Sequence, residues 1–256
     1  MSEPQIERAG RLLADAREVL VLTGAGISAD SGVPTFRGPD GLWKQHRPEQ
    51  LATPHAFAHD PRLVWEWYGW RREIVAQCSP NEAHRALAVW VMRRGGVRIV
   101  TQNVDGLHGL AAEAAGATGG GGDPLELHGS LFRVRCTGCG EGRPHRETID
   151  ATSVDTLPRC EACGSLLRPA VVWFGEPLPE DILTEAFGLA DRAEACLVIG
   201  TSAVVQPAAS LATVVAHGGG LVIEVNPDPT ALTPSATISI RARAADAVPE
   251  LVGEPD

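Results

Sequence analysis

The chain has 256 residues, 44% of them hydrophobic and 21% charged. That excludes wholesale disorder and allows one large domain or two unequal ones, at roughly 100–200 residues each. Its net charge of −10 argues against non-specific nucleic-acid binding, and apolar runs such as Ala195–Ile199 and Leu221–Val225 fall far short of the roughly 20 residues that span a membrane.

Taken in chain order, Gln5–Arg17 is predicted helical and Glu18–Thr23 a short buried strand. Residues 39–60 carry Pro39, Pro48 and Pro54, with Pro61 just beyond, and read as loops and short pieces. Leu63–Cys78 and Asn81–Arg94 read as helices, Val97–Thr101 as a strand and Asp105–Ala115 as a helix. Four consecutive glycines, Gly119–Gly122, mark a surface loop expected to be mobile. Leu125–His128 is a strand candidate, and 134–169 changes character, rich in Cys, Gly, Pro and Arg, as a small inserted module would. Pro169–Phe174 returns to strand pattern. Helix 179–193, strand 195–200, helix 207–217, strands 221–226 and 236–240, and a last helix Ala244–Leu251 follow. Strands alternating with helices predict parallel βαβ units and an α/β fold.

Gly24-Ala25-Gly26-Ile27-Ser28-Ala29 fits the G-x-G-x-x-G/A turn that brings backbone N–H groups to a pyrophosphate; a tight turn without a ligand fits the same residues. A simple dehydrogenase unit runs straight on into a helix, with an acidic ribose contact about 20 residues later. Here the chain breaks at Ser31-Gly32-Val33-Pro34 and continues Thr35-Phe36-Arg37-Gly38.

The spacing Cys136-x2-Cys139-x20-Cys160-x2-Cys163 is that of a zinc ribbon. Four thiolates close a tetrahedral shell, so the zinc is expected to be structural and to supply the folding energy that the module's few apolar residues cannot. A redox dithiol pair is the alternative. Cys78 and Cys196 read as small buried hydrophobes.

Gln102, Asn103 and Asp105 follow the strand Val97–Thr101 at the end where α/β folds bind ligands. Helix N-capping explains Asn103 or Asp105 equally well, and a structural role explains His128. Gly200-Thr201-Ser202 and Asn226-Pro227-Asp228 also lie just past apolar strands, as parts of one shared crevice would.

The ordered set GAGISADSGVPTFRG at 24–38, TQNVDGLH at 101–108, HGS at 128–130, the cysteine quartet, VVWFGE at 171–176, GTS at 200–202 and VNP at 225–227 resembles the sirtuins, NAD-dependent protein-lysine deacylases, over nearly the whole chain. The resemblance implies a Rossmann-like parallel sheet built from 1–45, 81–133 and 170–256. It implies a smaller domain formed by a helical insertion, 46–80, and a zinc-ribbon module, 134–169. NAD and an acylated lysine side chain would enter the cleft between them, yielding free lysine, nicotinamide and 2′-O-acyl-ADP-ribose. His128 would be the general base, with Asn103 and Asp105 as its catalytic companions. Gln102, Asn103, Val104 and Asp105 would hold the ribose and a water. Gly24, Ala25 and Gly26 would line the pyrophosphate site, Phe36 would shield the reactive intermediate and Arg37 would bind NAD. Gly200, Thr201, Ser202, Asn226, Pro227, Asp228 and Ala244 would meet the adenosine half. Val172, Trp173, Phe174 and Gly175 would pair with the peptide as an added strand. Two positions depart from the family pattern: Thr35 stands where many members have Asp, and Arg243-Ala244-Ala245 replaces a Gly-x-Ala adenine contact.

Tyr68, the only tyrosine, and Arg71 are spaced i,i+3 and share a face of their helix. The pair resembles the Tyr-x-x-Arg of class III sirtuins, the desuccinylase branch. A guanidinium accepts a succinyl or malonyl carboxylate bidentately and a phenol adds a donor. A solvated face at Arg71 and Arg72 is the alternative. A cytoplasmic location is expected because Met1-Ser2-Glu3-Pro4 lacks the features of a secretion signal; a monomer with no nucleic-acid or membrane partner is expected as well. A plain deacetylase, a protein mono-ADP-ribosyltransferase and a non-catalytic NAD or acyl-peptide sensor remain competing functions.

Overall fold

The computed structural model describes residues 4–34, 47–117, 119 and 122–253. Phe36, Arg37 and two glycines of the Gly119–Gly122 stretch lie outside the described residues.

Six parallel strands form the main sheet: β1 (Val19–Thr23), β2 (Val97–Thr101), β3 (Leu125–Glu126), and, later in the chain, β7 (Ala195–Ile199), β8 (Leu221–Val225) and β9 (Ile238–Ile240). Their order is β3-β2-β1-β7-β8-β9, the Rossmann order with its switch point between β1 and β7. Side chains alternate across the sheet, and both faces are covered. Val19, Val21, Ile99, Leu197, Ile199 and Ile223 pack under α1 (Gln5–Asp15), α5 (Glu82–Arg93) and α9 (Ala244–Val252). Leu20, Leu22, Val100, Cys196, Val198 and Val222 pack under α7 (Glu180–Arg192) and α8 (Ser210–His217). This double coverage is why these strands read as continuous apolar runs. Cys196 is buried as expected, its thiol pushed up to about 12 by burial, whereas Cys78 is only half-buried.

A second core joins the helical insertion to a three-stranded antiparallel sheet. Its helices are α2 (Pro48–Leu51), α3 (Pro54–His59) and α4 (Pro61–Ala76); its strands are β4 (Gly129–Cys136), β5 (Gly142–Pro144) and β6 (Leu167–Val171), in the order β5-β4-β6. Pro48, Pro54 and Pro61, read as loop signals, each begin a helix, while Pro39 lies outside the described residues. Proline tolerates the first helical position because its missing N–H is unpaired there anyway, and Thr53 and Asp60 cap the next two helices at Ala56 N (3.0 Å) and Leu63 N (2.9 Å). Strand β4 begins before the compositional break at 134 and β6 ends beyond 169, so the second sheet reaches to residue 129 on one side and 171 on the other. Trp65, Trp67, Tyr68, Leu131, Val134 and Trp173 fill this core. Trp65 also donates its indole N–H to the Leu167 carbonyl at 2.9 Å, and Arg72 donates to the carbonyls of His145 (2.6 Å) and Glu147 (3.0 Å). Helix α4 is thereby pinned to the ribbon.

The ribbon closes with two copies of one turn. Gly140 N–H donates to the Cys136 carbonyl (3.2 Å) and Gly164 N–H to the Cys160 carbonyl (2.8 Å), both glycines at positive φ, +78° and +74°. That left-handed backbone favours glycine. The four sulfurs lie within 4.8 Å of one another, with Cys136–Cys163 at 3.3 Å and Cys139–Cys160 at 3.7 Å. A zinc tetrahedron with 2.3 Å bonds has S–S edges of about 3.8 Å, so the quartet fits that ion. Backbone N–H groups of Gly138 and Cys139 point at the Cys136 sulfur, and they lower its thiol pKa despite some opposing burial. We expect one zinc per chain by elemental analysis. Cys160→Ser should lose it and lower the thermal midpoint by about 10 °C; a metal-free protein of unchanged stability would contradict this assignment.

Candidate functional site

The crevice at the carboxyl ends of β1 and β7 is built by glycines. Gly24 N–H donates to the Ile199 carbonyl (3.0 Å) and Gly26 N–H to the Gly200 carbonyl (2.8 Å). A Cβ on Gly24 would lie 2.7 Å from Thr201 Cβ, and one on Gly26 would lie 2.7 Å from Gly200 Cα. Gly200 itself has φ +59°. The glycines of the first motif thus let two strand-end loops meet backbone to backbone, and they leave Ala25 exposed at the head of a short 3-10 turn, Ala25–Ser31.

That turn delivers Ser28 into a buried polar network. Ser28 Oγ donates to Asp105 Oδ2 (2.8 Å) and accepts from Asn103 Nδ2 (3.1 Å); His84 Nε2 lies 3.4 Å from it. His84 lies in the first turn of α5, close to its cap Asn81, whose Oδ1 is 3.0 Å from His84 Nδ1. A second branch runs from Thr101 through Thr23 (2.8 Å) to His108 Nε2 (3.0 Å), and the rings of His84 and His108 lie 4.8 Å apart. Burial pushes His84 down to about 4 and His108 well below its ordinary value, so both rings are neutral at pH 7. Both Asp105 oxygens are engaged. Its Oδ1 accepts from Leu107 N (2.9 Å) at the start of α6 (Leu107–Ala115), while Oδ2 takes Ser28. Burial raises its pKa, against the pull of Leu107 N–H, Ser28 and the Arg71 charge.

His128 sits between β3 and β4, half-buried. Its Nδ1 is 2.9 Å from the Gln102 carbonyl, which accepts, so Nδ1 carries the proton and Nε2 keeps its lone pair. Burial lowers its pKa, and the Gln102 bond only partly restores it. The Gln102 amide in turn donates to Thr201 Oγ1 (3.1 Å), tying the β2 and β7 ends together. Within β8, Glu224 is buried and accepts from Thr230, Thr233 (2.9 Å) and Ser239 (2.5 Å), with Arg241 at 3.3 Å. These bonds hold its carboxyl below the ordinary value despite burial, and they shape the loop bearing Asn226, Pro227 and Asp228. The Ala244 methyl group packs into the core at the start of α9.

Tyr68 and Arg71 are 0% and 8% exposed, which excludes the solvated-face reading; Arg72 is buried too, as the ribbon pin. The Arg71 guanidinium lies 4.8 Å over the Trp67 ring, and its charge is felt by Asp105. Tyr68 Oη accepts the Trp173 indole N–H at 2.9 Å. Trp173 belongs to the substrate turn inferred from the sequence, where the N–H groups of Val172, Trp173 and Phe174 are already engaged, by the His128 carbonyl, Glu176 Oε2 and the Ala52 carbonyl, each at 2.9 Å. A backbone partner there must use carbonyls and the Gly175 N–H. Phe174 (53% exposed) and Val204 (55%) stand out as large exposed apolar side chains.

Residues overlooked from sequence are Thr23, Ser28, His84, Thr101, His108 and Glu224. Ser28, Thr101 and His108 lay inside the quoted motifs. His84 carried a signal of its own, a histidine three residues after a capping Asn.

The Sir2 family model matches residues 24–207. The chain is similar to NAD-dependent protein deacylase 1 of Archaeoglobus fulgidus, at 50% identity over 248 residues and 96% of either chain. It is also similar to the NAD-dependent protein deacylase of Pyrococcus abyssi, at 49% over 252 residues and 97% of either chain. Among solved structures, a Sir2 homologue in complex with NAD superposes with a TM-score of 0.87 at 49% identity, over 96% of this chain and 92% of that one. Sir2 bound to a p53 peptide and NAD+ gives 0.81 at 33% identity, over 95% of each. The family match, the relatives that span nearly the full length, and the site built at the β1–β7 switch point lead to one conclusion: this chain belongs to the Sir2 family.

Proposed function

We propose that the chain is an NAD-dependent protein-lysine deacylase that accepts acyl groups ending in a carboxylate, succinyl and malonyl, as well as acetyl. Membership of the Sir2 family supports the deacylase reaction, and solved homologues carry ADP-ribose and 2′-O-acetyl-ADP-ribose. The observation that carries the finer reading is the burial of Tyr68 and Arg71 side by side, with the Arg71 charge felt by Asp105.

The glycine crevice, with Gln102–Asp105 on one side and Gly200–Ser202 and Asn226 on the other, is the place for NAD. There NAD supplies the ribose that takes the acyl group as nicotinamide leaves. The chain's own residues orient and move protons. Ser28 and Leu107 N–H fix both oxygens of Asp105, and Ser28 fixes the Asn103 amide. His128 presents a neutral imidazole whose Nε2 can take a proton from a ribose hydroxyl. Arg71 offers paired N–H donors to an acyl carboxylate. A carboxylate accepts two such donors at once where a neutral acyl end accepts none, so the site favours an anionic partner.

The reading is tested by nicotinamide release from succinyl- and acetyl-lysine versions of one peptide at equal NAD. Arg71→Met should lower the succinyl-to-acetyl ratio of kcat/KM by about 30-fold. Equal losses on both peptides would leave a plain deacetylase, and NAD binding without nicotinamide release would leave a sensor. A second expectation concerns pH. The base must be unprotonated, and His128 has its pKa lowered below 6.5 in the folded chain. The acid limb of kcat/KM for deacylation should therefore lie below pH 6.5. Glu126, pushed up to about 7 by burial, is the neighbouring group that titrates nearby. Glu126→Gln should keep that limb; a limb that moves with this variant assigns it to Glu126 instead.

A further inference from the structure

We propose that Trp173 is a positioning residue for acyl selection: its indole N–H fixes the direction in which the Tyr68 hydroxyl donates. The inference rests on the carboxylate-selecting role of Tyr68 and Arg71 given above.

A phenol oxygen both accepts and donates, but an indole N–H only donates. With Trp173 Nε1 at 2.9 Å, the Tyr68 oxygen is the acceptor, so its own proton must point elsewhere. Arg71, whose guanidinium stands 5.4 Å from the Tyr68 ring, likewise has no acceptor atom. Neither of these two neighbours can take the Tyr68 proton, so the O–H is turned away from the indole and is available to an arriving acceptor. A carboxylate is acceptor-only and matches both the phenol and the guanidinium. An acetyl methyl group offers nothing to either. Burial keeps the phenol protonated, because it raises the Tyr68 pKa above its ordinary value.

The direction holds only if the indole cannot swing, and it is clamped from three sides. Arg168, on β6, lies 3.3 Å from the Trp173 ring centre. The same guanidinium forms a two-point ion pair with Glu176 (2.5 and 2.8 Å), and Glu176 Oε2 accepts the Trp173 backbone N–H (2.9 Å). Phe57 packs against the indole at 5.4 Å. The turn that carries Phe174 out to solvent thus also carries the group that aims Tyr68, so peptide docking and acyl choice share one short segment.

A double-mutant cycle tests this. Trp173→Phe keeps an aromatic ring and removes the N–H. It should lower the succinyl-to-acetyl ratio of kcat/KM by about fivefold, through the KM of the succinyl peptide. In a Tyr68→Phe background the same change should move the ratio by less than about twofold, because no hydroxyl is left to aim. An equal drop in both backgrounds means Trp173 only packs, and no drop means the hydroxyl is not aimed by it; either overturns the proposal. Glu176→Gln, which leaves the indole in place and weakens its tether, should shift the ratio the same way and serves if the Phe variant does not fold. Arg71→Met is run alongside. If it too leaves the ratio unchanged, the carboxylate reading itself falls; if it lowers the ratio and the Trp173 cycle is additive, only the aiming role falls. Because Tyr68 is the sole tyrosine, its phenolate absorbance gives a readout apart from activity. The Trp173 bond lowers its pKa, so Trp173→Phe should raise the midpoint further, and an unmoved midpoint would also overturn the proposal.

Discussion

The contact between the loop after β1 and the loop after β7 sets the geometry of everything else in the site. Parallel neighbouring strands end side by side, and the chain leaves them in opposite directions. In most residues the Cβ atoms would hold the two departing loops apart. Gly24, Gly26 and Gly200 remove that spacing, and two backbone hydrogen bonds take its place. The tight approach turns the chain after Gly26 sharply enough to drive Ser28 beneath the crevice instead of along it. From there Ser28 reaches Asp105 and Asn103 on the loop that follows β2.

What lies beneath the crevice is a polar network with few loose ends, in which Asp105 is the one acidic group among the described residues. Two buried histidines stay neutral, three hydroxyls pass donors along, and Asp105 keeps both oxygens occupied. Buried polar groups are costly when unpaired, and pairing them rigidly gives each one a single orientation. The result is a crevice whose walls present fixed donors and acceptors without waiting for a ligand to arrange them. His128 follows the same logic at the edge, where one backbone carbonyl selects its tautomer.

The parallel sheet was legible because its strands are buried on both faces and so appear as unbroken apolar runs bounded by glycine; Val97–Thr101 has the bounds its sequence announced. The cysteine quartet was legible because a tetrahedral ion imposes spacing directly on the chain. Pro48, Pro54 and Pro61 misled because a residue that breaks a helix in its middle is suited to its first position, and local sequence does not separate the two cases. Strand β4 was missed because half its side chains face water and its partner lies a full ribbon away. Glu224 carried no local signal at all, and Trp173, inside a quoted motif, carried none for its contact with Tyr68. A glutamate between apolar residues and a tryptophan after two valines acquire meaning only when the loop and the helix they touch are folded against them. For Tyr68 and Arg71 the spacing showed a shared helix face, yet it took the second core to show that this face is buried.

Helix α4 is anchored by Trp65 to β6 and by Arg72 to the ribbon carbonyls, while Tyr68 and Arg71 sit on the same sixteen-residue segment. On the role proposed for Tyr68 and Arg71, selectivity and architecture are written on one piece of chain. A lineage changing its acyl preference cannot slide or retwist this helix without unseating the ribbon and its cysteine quartet. It is left with exchanging side chains one at a time on a fixed scaffold, so that preferences should diverge in discrete steps rather than drift.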